Sequence, residues 1–162
     1  MSKTISFSLS ESSIEKARQQ LIQYRDNVNK KVELLVKSLV DRGVKVTQTS
    51  ISTMGAVYTG ELLGSIQGAF NPSTGVGMIY TDCQWAKFVL FGTGIKAKNS
   101  PSKYANIVGW KYDVNNHGEN GWWYFKDGEW HWSNGFPSRD FFDGTIKMLH
   151  SELGAEARKV FK

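Results

Sequence analysis

Eight apolar residues, Ile14, Ala17, Leu21, Tyr24, Val28, Val32, Leu35 and Leu39, recur at steps of three and four, with Lys, Arg, Gln and Glu between them. That spacing draws one apolar stripe along an α-helix, so a helix is predicted over residues 13–42. Ser12 and Glu15 have the spacing of a capping box at its start, and Gly43 is the expected left-handed stop. Such a helix runs roughly 40 Å at 1.5 Å per residue. In a chain of 162 residues this length implies an element that packs on more than its own core. Before it, Ile5, Phe7 and Leu9 alternate with serines, which suits an extended arm or short strand over residues 1–12.

Beyond the helix the pattern changes. Residues 44–51 read VKVTQTSI, β-branched and alternating, and a strand is expected there. Eight glycines fall between Gly55 and Gly94, so this region should be turns and short elements. A strand or helix–strand unit over 62–70, a turn at Asn71-Pro72-Ser73 and a strand over 76–81 make a hairpin. Asp82 is placed to cap a short helix over 84–91 that ends at Gly92. Residues 94–103 carry Lys96, Lys98 and Lys103 and no large apolar side chain after Ile95, the composition of an exposed, mobile loop. Residues 122–125 and 129–132 are aromatic strand formers flanking Asp127-Gly128, a favoured hairpin turn. Gly135-Phe136-Pro137 breaks that pattern, and Ser138 is placed to cap a last helix over 138–161 with Phe142, Ile146, Leu149, Leu153, Ala157 and Val160 on one face. One α+β domain spanning 1–162 is expected: an antiparallel twisted sheet of four to five strands packed by a long N-terminal and a C-terminal helix.

Chemistry-bearing constellations are sparse. The chain has no phosphate-binding P-loop, no H-E-x-x-H, no G-x-S-x-G and no dinucleotide fingerprint. A single cysteine, Cys83, excludes an internal disulfide and multi-cysteine zinc patterns. The three histidines, His117, His131 and His150, are scattered along the chain. Gly92-Thr93-Gly94 with Lys96 and Lys98 lacks the strand before it and the helix start after it that a phosphate loop needs. No catalytic residue, cofactor or metal is therefore expected. No apolar run approaches the roughly 18 to 20 residues that cross a bilayer, and the opening 13 residues are too polar for a signal peptide. The formal charge is +5, a mildly basic balance compatible with nucleic-acid contact. Residues 1–50 and 96–103 carry the excess. Twelve aromatic residues lie between Tyr104 and Phe142, and residues 104–137 hold two lysines against four acids. A stacking surface for single-stranded nucleic acid would want the opposite charge. GWWYFKDGEW also resembles one unit of the aromatic hairpins of choline-binding cell-wall modules, which occur as tandem arrays.

Three strings occur together in order: TGELLGSI at 59–66, QWAKFVLFGTG at 84–94 and GFPSRDFF at 135–142. In that order and at about those distances they resemble the gene-product-ten-like tail-component family of long-tailed phages, whose members are similar to head–tail joining or tail-completion proteins. The family pattern runs T-G-x-L, Y-A-x-x-V-E-F-G-T and G-x-P-x-R-P-F. Thr59, Gly60 and Leu62 match the first unit. Ala86, Val89, Phe91, Gly92 and Thr93 match the second, with Trp85 in place of the aromatic Tyr and Leu90 in place of Glu. Pro137, Arg139 and Phe141 match the third, with Asp140 in place of Pro. Leu90 removes a carboxylate, so no cross-subunit salt bridge is carried over at that position. The resemblance implies a non-enzymatic virion protein of the neck or head-proximal tail. It would be assembled in the host cytoplasm as a sixfold ring of copies that contacts neck, connector or tail-tube proteins. On this reading Trp85, Phe88, Phe91, Arg139 and Phe141 hold the core. Ile95, Lys96, Lys98 and Lys103, with Lys126, Asp127 and Trp130 at the hairpin tip, make contacts between subunits or with partners. Two other classes remain open: a nucleic-acid binder using the basic surface, including contact with packaged DNA, and a choline or cell-wall binder using the aromatic hairpin.

Overall fold

A computed structural model describes residues 4–56, 60–113, 116 and 120–162. Its first element, α1 (Glu11–Thr53), is a helix of 43 residues, about 65 Å long. The predicted stop at Gly43 and the predicted strand over 44–51 are both replaced by uninterrupted helix. Two features of the sequence explain this. Val40, Val44, Thr47 and Ile51 continue the three-and-four spacing, and Thr47 and Ile51 are fully buried. The hydroxyls that would otherwise compete with helical bonds instead donate to carbonyls four residues back: Thr47 to Gly43, Thr49 to Lys45, Ser52 to Gln48 and Thr53 to Thr49. Gly43 is there for proximity, since a Cβ at this position would lie 2.2 Å from Ile79 Cδ1. The helix begins after Ser10 with no side-chain cap, and Glu15 pairs with Arg18 and Gln19, so the predicted capping box does not form. Residues 4–10 hold no strand.

After α1 come a single turn, α2 (Glu61–Gly64), and a hairpin of β1 (Ile66–Asn71) and β2 (Val76–Thr81). The strands are antiparallel, with Ile66 opposite Thr81 and Asn71 opposite Val76. Asn71 Oδ1 accepts the Ser73 N–H at 2.9 Å and so shapes the predicted turn. The hairpin lies against α1 because Gly68 and Gly77 leave room for Val36 and Val40. A Cβ on either glycine would fall within 2.6 Å of a valine methyl.

Three short helices follow, α3 (Ala86–Phe91), α4 (Gly94–Asn99) and α5 (Ala105–Val108). Helix α3 lies inside its predicted range and stops at Gly92, but it starts at Trp85 with no side-chain cap, so Asp82 does not cap it. A second hairpin pairs β3 (Trp122–Lys126) with β4 (Glu129–Ser133) across Asp127-Gly128, both at positive φ as the tight turn requires. The last helix, α6 (Asp143–Val160), begins five residues after the predicted Ser138 cap. It packs along α1, where Thr47 and Thr145 hydroxyls meet at 2.6 Å and Arg42 pairs with Glu152 and, at 2.6 Å, with Glu156. The mixed helix-and-sheet class is as expected. The sheet is not: among the described residues there are two separate two-stranded hairpins in place of one sheet of four or five strands. With residues 44–51 helical and residues 4–10 irregular, no strand bridges the two.

Candidate interaction surfaces

The core gathers Ile51, Leu62, Ile66, Ala86 and Phe141, with Val89 and Leu90 packed at its edge. Leu62 comes from the first of the three motif strings, Ala86 from the second and Phe141, which is 0% exposed, from the third. Their backbones also join. Thr93 and Phe136 form an antiparallel bridge, N–H to carbonyl in both directions at 3.0 and 3.1 Å. The Arg139 N–H donates to the carbonyls of Val89 and Leu90 at 3.1 and 3.3 Å. Trp110 closes the junction by donating its indole N–H to Gly92 O at 3.0 Å, with Phe91 and Phe88 at ring distances of 5.0 and 5.7 Å. Gly92 and Gly135, both at positive φ, sit where the two strings touch.

The motif residues divide. Leu62, Ala86, Gly92, Thr93 and Phe141 are buried, and Phe88, Phe91 and Arg139 are half-buried. Gly60, at φ +81°, precedes α2 in the left-handed conformation. Pro137 is exposed, and Trp85 is 59% exposed, its ring tilted against Phe88 at 5.9 Å. Trp85 is thus a surface residue and not the expected core residue: it stands at the start of a six-residue helix whose opposite side, at Ala86, meets the core. Thr59 lies outside the described residues, as does His117.

The expected mobile loop over 94–103 is instead α4 and a turn bound to the third motif string. Ala97 is fully buried and Ile95 half-buried. Ser138 Oγ donates to Ser100 O at 2.8 Å, and the Ser102 hydroxyl binds the Asp140 carboxylate. Lys96 and Lys98 are exposed on the helix. Lys103 is engaged by Asp143 in the first turn of α6 and lies 5.0 Å from the Tyr104 ring. Asp143 also meets Lys147 at 2.9 Å. Hydrogen bonds from the two ammonium groups pull its carboxyl down to about 2. The basic cluster is therefore partly offset by a carboxylate.

The second hairpin presents a different surface. Residues two apart share a face, and the register places Trp123 opposite Trp132 and Phe125 opposite Trp130. The four rings meet edge-on in these two pairs at 5.4 Å. All four are 49–67% exposed. On the other face Tyr124 stacks on His131 at 5.5 Å. Lys126 and Asp127 at the tip are exposed.

The third surface lies on the long helix, whose length implied packing on more than its own core. The apolar stripe of α1 is buried at Leu35 and Leu39 but exposed at Ile14, Leu21 and Tyr24, with Ala17 the one buried position among them. The reason is length: α6 finishes where Lys31 Nζ reaches Lys162 O at 3.2 Å and lies 5.8 Å from the Phe161 ring. Some twenty residues of α1 extend past that point. The signal in the sequence is the mismatch between a long stripe and a shorter C-terminal helix.

Among the described residues no group of three His, Cys, Asp or Glu side chains could hold a metal ion, and no helix is long and apolar enough to cross a membrane. A cavity of about 400 Å³ between α1, β2 and α6 is lined by Val36, Leu39, Ile79, Phe142, Thr145 and Ile146. No protein-family model, curated protein or solved structure matches the chain.

Proposed function

We propose that the chain is a structural phage protein of the neck or head-proximal tail, a ring-forming joining or tail-completion component without catalytic activity. The observation that carries this reading is the convergence of the three motif strings. Leu62, Ala86 and Phe141 share one core, and Gly92-Thr93 is zipped to Gly135-Phe136. Residues 60–66, 84–94 and 135–142 thus behave as one structural unit, which is how a shared family framework would use them. The surfaces support it as well. A ring built from one chain needs two different patches that meet head to tail, and the α1 extension and the aromatic hairpin are two such patches. The neighbours are further copies, in a ring of six, and the connector or tube proteins above and below. Lys96 and Lys98, both exposed on α4, would face packaged DNA within such a ring.

The test is electron microscopy of lysates from a phage or prophage in which this gene is disrupted. Filled heads beside separate tails are the expected outcome. Intact virions in normal yield would overturn the reading.

A further inference from the structure

Two elements of this chain receive little support from the rest of it. The β3–β4 hairpin pairs only within itself and packs extensively on no other helix or strand among the described residues, and an isolated two-stranded hairpin is marginal in water. The first half of α1 stands beyond the end of α6 with Ile14, Leu21 and Tyr24 each about half exposed, and most helical stability in proteins comes from packing of such an amphipathic face. Each carries an apolar face that its own chain does not cover.

We infer that the two faces cover each other between copies: Trp123, Phe125, Trp130 and Trp132 of one copy dock along the Ile14, Leu21, Tyr24 and Val28 stripe of the next. Area favours a macromolecular occupant. Aromatic side chains bury roughly 150–250 Å² each, so four rings about half to two-thirds exposed offer about 500 Å², more than half of one side of a standard interface. Charge favours a second copy. Residues 11–31 carry five basic side chains, Lys16, Arg18, Arg25, Lys30 and Lys31, against three acids. The hairpin segment 120–134 carries Asp127 and Glu129 against Lys126. The basic helix thus meets a slightly acidic hairpin, and its Lys and Arg side chains find ring faces for cation–π contact. Two hairpins face to face would bring acid against acid. Because the two patches differ, the contact is heterologous and repeats from copy to copy, closing into a ring where the rotation allows. This inference rests on the reading of the chain as a ring-forming subunit and names the surfaces that form the ring.

The experiment uses the full chain with Cys83→Ser and one new cysteine, either Gln20→Cys beside the helix stripe or Glu129→Cys at the hairpin. The two proteins are mixed and treated with a bis-maleimide, while native mass spectrometry follows mass against concentration. The expected result is a concentration-dependent oligomer and a crosslink between the 20 and 129 positions. Both should be weakened roughly tenfold or more by Trp130→Ala and, on the other side, by Leu21→Ser. Oligomers that form without this crosslink and ignore both substitutions overturn the docking while leaving a ring-forming role intact. A 129-to-129 crosslink overturns it in favour of a two-fold hairpin contact. A chain that stays monomeric at every concentration, including one whose tryptophan fluorescence is quenched by choline, also overturns it. The lysate microscopy then decides separately whether the joining role survives.

Discussion

Replacing Gly135 with alanine tests the junction that ties the second motif string to the third. Gly135 has φ +79°, and a Cβ added there would lie 1.9 Å from Thr93 O, 2.5 Å from Thr93 C and 2.9 Å from Gly94 N. All three atoms are backbone, so no side chain can swing aside. The left-handed conformation alone costs an alanine about 1–2 kcal/mol. Relieving the overlap moves residue 93 away from residue 136, which breaks the two bridge hydrogen bonds at 3.0 and 3.1 Å in a buried setting, at about 1 kcal/mol each. The sum is about 3–4 kcal/mol, a large part of the 5–15 kcal/mol by which a domain is stable, roughly. Gly128→Ala is the control. Its φ is +86° and nothing lies within 4 Å of the added methyl, so it bears the conformational cost and nothing else. Urea unfolding followed by tryptophan fluorescence should show the Gly135→Ala midpoint falling by about 1.5–2 M at a slope near 2 kcal/mol per M, and the Gly128→Ala midpoint by less than about 1 M. Equal shifts in the two variants would refute the close approach at the junction.

Phe141→Ala, at the one fully buried aromatic of the core, should cost about 3–5 kcal/mol in the same assay. The buried hydroxyl pair makes an asymmetric prediction. Thr47→Val leaves the Thr145 hydroxyl with only a 3.4 Å contact to Gly43 O and should cost about 1–2 kcal/mol, whereas Thr145→Val leaves Thr47 bonded to Gly43 O at 2.8 Å and should cost less. The double variant should recover about 1 kcal/mol relative to the sum of the two, read from the double-mutant cycle. Asp143 sets a pH dependence. Lys103 and Lys147 hold its folded pKa at about 2, below the ordinary 3.8, so its contribution is present above that ordinary value and is lost as pH falls from about 4 toward 2. Asp143→Asn should flatten the stability profile across that window and leave its slope unchanged above pH 5.

What could be read from the sequence was local. Asn71-Pro72 and Asp127-Gly128 specify their turns through short-range chemistry, and both hairpins formed where expected. Gly92 ended α3 for the same reason. Gly43 shows where that legibility stops. A glycine after a helical run has two uses, a left-handed cap and a close approach, and only the position of Ile79 and Thr145 against it separates them. Residues 44–51 alternate as a strand and also keep the three-and-four spacing of a helix, a conflict that tertiary packing against α6 resolves. Trp85 and Phe141 show the same limit for burial. Both are aromatic residues in motif strings, yet one is 59% exposed and the other 0%, because one opens a short surface helix and the other faces Ile51.

The α1 stripe carries the point furthest. Its eight apolar positions are equally regular from Ile14 to Leu39, but α6 ends beside Lys31 and covers only the later ones. Periodicity marks a face as apolar without saying which chain covers it. An exposed helix half has no physical need for such a face, since polar residues there would favour helix and solubility equally well. The unbroken stripe is therefore better explained by a partner along its full length than by the fold of one copy. The aromatic side of β3–β4 is another large exposed apolar face, on a hairpin whose strands pair only with each other among the described residues. A head-to-tail contact between these two would make the first twenty residues of α1 as dependent on the neighbouring copy as the last twenty are on α6.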